Sequence, residues 1–126
     1  MYRVEIYVPM FDQSRNEFDR EKWFGVESLL MDFCGGFTAL QGLGCYISPD
    51  GALCREPVII YRVENGDSMR LNKLIQLISP YITEAFDQEI VKIDFYELLA
   101  PAMYCYISDN FVEPQKFPFG VNKDEG

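Results

Sequence analysis

The turn sequence Ser-Pro-Asp-Gly at residues 48–51 constrains the fold of this chain more than any other segment. Proline at the second position and glycine at the fourth are typical of a β-turn. Residues 37–47 and 52–63 flank the turn and are rich in strand-forming side chains, so they are predicted to form a β-hairpin. The segments before and after this hairpin therefore decide which fold contains it.

The chain before the hairpin predicts one strand and one helix. Residues 1–10 alternate in hydrophobicity, and one predicted face carries Tyr2, Val4, Ile6 and Val8. Residues 20–34 carry apolar side chains at helical spacing, with Asp19 as the predicted N-cap and two glycines after the last turn. A strand followed by a helix is thus expected to precede the hairpin.

The chain after the hairpin predicts a second helix and two further strands. The helix is expected to start at Asp67 or Ser68 and to break or kink at Pro80. Residues 89–97 and 102–108 have the composition and alternation of strands. The remaining residues, 109–126, are rich in proline and are predicted to form an irregular tail with a disordered end.

The order β-α-β-β-α-β plus an extra C-terminal strand is typical of a ferredoxin-like sandwich of the α+β class. We expect an antiparallel sheet with both helices on one face. With 126 residues, the chain is predicted to form a single domain over residues 1–108, followed by the tail 109–126. Because the other sheet face carries apolar and aromatic residues, a dimer or larger homo-oligomer is predicted, with its contact through that open sheet face or through an edge strand.

Charge and composition disfavour several classes of partner. The net charge is −9, and no cluster of lysines or arginines offers the contacts that nucleic-acid backbones require. No apolar run reaches the roughly 20 residues of a membrane-spanning helix, and the first residues lack the pattern of a signal peptide. A cytoplasmic protein that binds neither nucleic acid nor membranes is therefore predicted.

The sequence contains no histidine and four cysteines, at positions 34, 45, 54 and 105. Histidine is the commonest general base and metal ligand, and no cysteine pair has the CxxC spacing, so neither a metal site nor a cofactor is predicted. The cysteines are expected to be reduced in the cytosol. If the loop has four residues, Cys45 would lie opposite Cys54, where a disulfide is conceivable.

The glycines between residues 35 and 51 do not form a phosphate-binding loop. Such a loop precedes a helix N-terminus, whereas here a predicted helix ends at Gly35 and a strand follows. Gly42, Gly44 and Tyr46 share one face of that strand. The glycines are interpreted either as room for a neighbouring side chain or as a surface for a ligand or partner.

A candidate ligand-binding set combines these glycines with polar and aromatic residues of the predicted strands. Pro57 cannot donate a hydrogen bond to a sheet, so the adjacent charged residues are expected at an edge or bulge. Without histidine, acid–base chemistry would need a carboxylate, tyrosine, lysine or cysteine. No catalytic residue is assigned, and the candidate ligand-binding residues are Tyr7, Gly42, Gly44, Tyr46, Arg55, Glu56 and Tyr61.

Two segments resemble a family of small, uncharacterised bacterial ferredoxin-like proteins. The segments are "GGFTALQGLGCYISPDGALCREPVIIYRV" and "FDQEIV", and the resemblance spans about residues 33–93. This chain has Cys45-Tyr46 in place of the family's tryptophan and Asp87 in place of a glycine. The resemblance implies the fold and brings no activity or catalytic residue with it.

These features favour a non-enzymatic binding or interaction protein for a small molecule or a protein partner. A phage- or plasmid-type inhibitor or sequestering protein would have this size and charge. The alternative is a small enzyme with carboxylate and tyrosine acid–base chemistry in a cavity lined by Tyr7, Tyr46, Tyr61 and Glu56. The sequence leaves both alternatives open.

Overall fold

The computed structural model describes residues 1–99, 102–107 and 110–116. The elements are β1 (Tyr2–Pro9), α1 (Arg20–Cys34), β2 (Thr38–Ile47), β3 (Leu53–Asn65), α2 (Ser68–Ala85), β4 (Lys92–Glu97), β5 (Ala102–Ile107) and β6 (Asn110–Lys116). The first four strands form one sheet in the order β2-β3-β1-β4, and every neighbouring pair is antiparallel. Both helices pack against one face of this sheet. The predicted ferredoxin-like α+β fold is confirmed.

The core lies between the two helices and the central strands. The alternation predicted for β1 places Val4, Ile6 and Val8 at 0% exposure, while Tyr2 is only partly buried. Each such aliphatic side chain contributes about 1.5–3 kcal/mol on burial, so this face holds the helices on the sheet. The helices complete the core with Val26, Leu30, Leu71, Leu74, Ile78 and Ile82.

Helix α1 begins and ends where the sequence predicts. Gly35 has the left-handed conformation (φ 72°) and donates its backbone N–H to the carbonyl of Met31, as expected of a glycine C-cap. Asp19 occupies the N-cap position, but its side chain makes no capping hydrogen bond. The end of α1 is therefore fixed by its glycine rather than by its aspartate.

Helix α2 continues through Pro80, so of the expected break or kink the break is wrong and the kink stays a prediction. Asp67 caps the first turn by accepting hydrogen bonds from the backbone N–H groups of Met69 and Arg70. Buried side chains lie on both sides of the proline, at Ile78 and Ile82. Packing of this apolar face offsets the single backbone hydrogen bond that proline removes.

The β2–β3 hairpin has a five-residue loop instead of four. Gly51 has φ 89° and donates its N–H to the carbonyl of Ser48, and the last strand pair is Ile47 with Leu53. The extra loop residue shifts the register, so Cys45 lies opposite Arg55. The conceivable pairing of Cys45 with Cys54 is thus wrong, and both thiols are free.

The predicted strand at residues 102–108 is confirmed as β5, which forms a separate two-stranded sheet with β6. Because β6 covers residues 110–116, this part of the predicted irregular tail is wrong. The expected disorder at the chain end falls on residues 117–126, outside the described residues, and the domain boundary after residue 108 stays a prediction. In the described part of the chain, no helix is long and apolar enough to cross a membrane.

Candidate functional site

The sheet register distributes the seven candidate residues over two faces. Side chains alternate between faces along a strand, and directly paired residues share a face. Ile6 pairs with Tyr61 on the face that the helices cover, whereas Tyr7 pairs with Ile60 on the opposite, open face. Gly42, Gly44, Tyr46 and Glu56 lie with Tyr7 on the open face, and Arg55 lies with Tyr61 on the helix face.

The sequence predicted a shared cavity for Tyr61, Tyr7, Tyr46 and Glu56. Tyr61 cannot line it, because its side chain lies on the opposite face of the sheet. Its side chain is 1% exposed and belongs to the core. The hydroxyl donates a hydrogen bond of 2.8 Å to the Glu27 carboxylate. Burial first, and then this carboxylate, raise the pKa of Tyr61 far above its ordinary value, so the phenol stays protonated.

A cleft on the open face brings together four of the candidate residues. It has a volume of about 540 Å³ and is bordered on one side by the segment 88–90. Its walls include Tyr7, Gly44, Tyr46, Glu56, Ile60 and Lys92. We refer to this depression as the open-face cleft.

The two glycines of β2 differ in the space above them. A Cβ atom at Gly42 would lie 3.1 Å from Ile60 Cδ1 and 3.5 Å from Val58 Cγ2, so this chain already fills that space. A Cβ atom at Gly44 would meet only the Glu56 carbonyl oxygen, at 3.5 Å. The space at Gly44 is thus the one that a ligand can use.

A cluster of polar side chains borders the open-face cleft at β1 and β4. Tyr7 donates a hydrogen bond of 3.1 Å to Asp94, and Lys92 Nζ lies 4.5 Å from the centroid of the Tyr7 ring. Lys92 also approaches Asp94 to 3.8 Å. Burial, together with the hydrogen bond and charge of Asp94, raises the pKa of Tyr7 to about 12.

Lys92 and Asp94 are not among the candidate residues predicted from the sequence. They meet Tyr7 because β1 and β4 are neighbours in the sheet, where Tyr7 pairs with Lys92 and Glu5 pairs with Asp94. The only sequence signal was the alternation of β4, which did place these residues on its polar side. Their partner could be recognised only after the sheet order was known.

Arg55 lies at a second depression, next to the loop that follows β1. This groove of about 480 Å³ lies between the hairpin and residues 11–15, and Tyr46 and Glu56 border both this groove and the open-face cleft. Asp12 holds the loop by accepting hydrogen bonds from the backbone N–H groups of Ser14 and Asn16. The structure therefore places Arg55 beside the loop that follows β1, in a groove that Tyr7 does not line.

A further cleft lies on the helix face, between α1 and the strands β2 and β3. Its volume is about 400 Å³, and its lining includes Glu17, Phe18, Arg20, Trp23, Glu27 and Tyr61. We refer to it as the helix-face cleft. Of the candidate residues, it contains only Tyr61.

Among the residues with described side chains, no group of three or more potential ligands is arranged to hold a metal ion. The three cysteines in that range lie apart: Cys34 ends α1, and Cys45 and Cys54 lie on opposite faces of the hairpin. Burial raises the pKa of the Cys34 thiol, which disfavours the thiolate that metals bind.

Comparisons with known proteins reveal similarity only at the level of the fold. No protein-family model and no curated protein matches the sequence. A phage SAM lyase in complex with S-methyl-5'-thioadenosine superimposes with a TM-score of 0.57 at 16% identity, covering 76% of this chain and 80% of the lyase. At these identities the similarity establishes the ferredoxin-like fold alone.

Two CutA proteins have the same architecture. A point mutant of CutA1 from Pyrococcus horikoshii OT3 gives a TM-score of 0.55 at 13% identity, covering 78% of this chain and 83% of CutA1. The PII-like CutA from Nostoc sp. PCC 7120 gives 0.51 at 16% identity, covering 78% and 81%. The resemblance to an uncharacterised bacterial family agrees with these proteins in fold, and its bacterial assignment stays a prediction.

Proposed function

We propose that this protein is a non-catalytic binding protein that holds a small organic molecule in the open-face cleft. The observation that carries the proposal is the free space at the Cβ position of Gly44, beside the half-buried Glu56. Within the described part of the chain, no basic group forms an ion pair with Glu56. A carboxylate in this position favours a ligand that brings its own hydrogen-bond donor.

The lining of the open-face cleft indicates the chemistry of the ligand. Val58 and Ile60 supply apolar surface, and Gly44 permits a flat group to approach the backbone closely. Glu56 supplies an acceptor at one wall. The ligand is therefore a molecule with an apolar or aromatic body and an N–H or O–H group, and a volume of about 540 Å³ is in the usual range for such sites.

The raised pKa of Tyr7 supports binding over acid–base catalysis. With a pKa of about 12, Tyr7 is protonated at neutral pH and cannot accept a proton from a substrate. Asp94 already accepts the hydrogen bond of Tyr7 and lies near Lys92, so these groups are engaged with one another. A site that binds without turnover agrees with a sequestering role.

The experiment that tests this function combines native mass spectrometry with thermal-shift titration. Native spectra of the purified protein reveal any ligand that it carries, and S-methyl-5'-thioadenosine, held by a protein of the same fold, serves as the first titrated probe. Glu56→Gln is expected to weaken binding about tenfold or more, the value of one charge-assisted hydrogen bond. Glu84→Gln, on the exposed surface of α2, is the control and should leave binding unchanged.

The proposal is wrong if Glu56→Gln binds the carried or titrated molecule as tightly as the wild type. The second candidate, a small enzyme, rests on the cluster of Tyr7, Asp94 and Lys92. In that case the molecule would be chemically altered on incubation with the protein, and Tyr7→Phe would slow the change. A ligand recovered intact supports the binding protein.

We also propose that the chain forms a homo-oligomer through the outer half of the β2–β3 hairpin, residues 43–57. The last residue of β1 pairs with Val58, so the hairpin extends beyond β1. This part carries exposed Leu43, Ile47 and Leu53, and β2 is an edge strand of the four-stranded sheet. A second copy that pairs with this edge would cover both the apolar side chains and the free backbone groups.

A further inference from the structure

The helix-face cleft is a second site, separated from the open-face cleft by the sheet itself. We propose that it binds a small organic cation, an ammonium or sulfonium compound, between aromatic rings and a carboxylate. This inference is independent of the function proposed for the open-face cleft. It rests on three features of the helix-face cleft: its aromatic walls, its carboxylates and its volume.

The aromatic walls consist of rings that are held in place by one another. Trp23 and Phe18 each contact Phe86 edge-on at 4.8 Å between ring centroids, and Trp23 lies 6.4 Å from Tyr61. Such packing fixes the orientation of the rings before any ligand arrives. The negative face of an aromatic ring attracts a cation within about 6 Å, and tryptophan does so most strongly.

One ring of the cleft lining, that of Phe18, already lies near a cation of the chain. Lys22 Nζ lies 5.5 Å from the centroid of the Phe18 ring. Lys22 is not part of the cleft lining, and among the lining residues Arg20 is basic and exposed. The positive charge of Arg20 disfavours a cation beside it, so the proposed cation lies next to Glu27, and the guanidinium would attract an anionic group on the same ligand.

The carboxylates of the cleft provide the matching charge. Glu27 is half-buried and is positioned by the hydrogen bond of 2.8 Å that it accepts from Tyr61. Within the described residues, no lysine or arginine forms an ion pair with Glu27 or with Glu17, the second carboxylate of the lining. The negative charge of Glu27 is therefore not paired with a basic side chain of the described residues, and a bound cation would be attracted to it.

The volume of the cleft, about 400 Å³, accommodates a quaternary ammonium compound such as choline. Its combination of rings and carboxylates discriminates by charge rather than by shape. A neutral isostere, in which carbon replaces the ammonium nitrogen, has the same size but lacks the attraction to Glu27 and to the ring faces. The ratio of the two affinities therefore measures the proposed mode of recognition.

Trp23 is the only tryptophan in the sequence, so its fluorescence reports directly on the helix-face cleft. Choline is titrated against the full chain while the emission of Trp23 is recorded, and the neutral isostere is titrated in the same way. We expect a saturable change with choline, and about tenfold weaker binding of the isostere, the size of one desolvated cation–π contact. Equal affinities for the two compounds, or no saturable change with choline, would overturn the proposal.

Two variants on the same helix locate the site. Glu27→Gln removes the charge and can still accept the hydrogen bond of Tyr61, and it is expected to weaken choline binding about tenfold. Glu21→Gln, an exposed residue of α1 outside the cleft lining, should leave the affinity within about twofold of the wild type. Equal losses in both variants would indicate a general effect of net charge and contradict the proposal. If Glu27→Gln did not fold, the comparison of choline with its isostere on the wild type would decide.

Discussion

At the scale of single residues, the open face of the sheet raises the pKa of the Tyr7 phenol. Its pKa is raised from the ordinary value of 10.0 to about 12 by burial and by the hydrogen bond and negative charge of Asp94. The folded state therefore favours the protonated phenol. The resulting stability is fully present below pH 10, the unfolded value, and is lost as the pH rises towards 12.

This environment predicts the outcome of an alkaline titration. In the wild type, one tyrosinate absorbance transition near pH 12 should be missing from Tyr7→Phe, because that variant lacks the phenol. Tyr7→Phe should also lose less stability between pH 10 and 12 than the wild type does. If the transition that Tyr7→Phe lacks were centred near pH 10 in the wild type, the role assigned to Asp94 would be contradicted.

The sequence predicted only part of the set of residues that share the open-face cleft. The candidate set contained Tyr7, Tyr46 and Glu56, which do border one cleft, but it also contained Tyr61 from the opposite face. The sheet face of a tyrosine in a strand is known only when the pairing register of that strand is known, because a shift of one residue moves its side chain to the other face. Which residues meet in each cleft therefore depends on strand pairings between segments that are distant in sequence.

At the scale of elements, local signals predicted most of the fold. The glycine stop of α1, the start of α2 at Ser68 and the alternation of β1 each depend on a few neighbouring residues, and each proved correct. The expected break at Pro80 failed because longer-range packing decides: the buried face of α2 carries the helix through the proline. The length of the hairpin loop depends on a local contact instead. Ser48 donates its backbone N–H to the Ala52 carbonyl, and the loop spans residues 48–52 after the last strand pair, Ile47 with Leu53.

Gly25 provides a test of how the two helices contact each other. A Cβ atom at this position would lie 2.0 Å from Tyr81 Oη and 2.5 Å from its Cζ, so the ring must move and lose its hydrogen bond to the Lys22 carbonyl. Overpacking costs about 1–3 kcal/mol and the higher helix propensity of alanine returns about 1 kcal/mol, so we expect Gly25→Ala to destabilise the protein by up to about 2 kcal/mol. Chemical denaturation measures this difference.

The matched control for Gly25 is Gly36→Ala. No atom lies within 4 Å of the Cβ position there, so its effect should stay within about 0.5 kcal/mol. A Gly25→Ala variant about 1 kcal/mol more stable than the wild type, the gain expected from helix propensity alone, would show that Tyr81 moves aside without cost. In that case the contact between α1 and α2 would be looser than the packing around Val26 and Leu30 indicates.

At the scale of the whole molecule, the sheet separates two clefts of different character. The open-face cleft has an apolar floor and a carboxylate wall, whereas the helix-face cleft has aromatic walls. The outer half of the hairpin contributes Tyr46 to the open-face cleft and is also the proposed contact with a second copy. Assembly and ligand binding are therefore expected to influence each other, because both depend on the hairpin.

The proposed assembly predicts the mass of the protein in solution. Light scattering at micromolar concentration should give at least twice the 14.6 kDa of one chain. Ile47→Lys and Leu53→Lys, at positions 66% and 58% exposed, should shift the protein towards the monomer because a lysine at the contact opposes edge pairing. Met69→Lys, at a similarly exposed position (70%) on α2, is the control and should keep the wild-type mass. A monomeric wild type, or an oligomer that tolerates lysine at both hairpin positions, would contradict self-association through the hairpin and leave its apolar tip for a different partner.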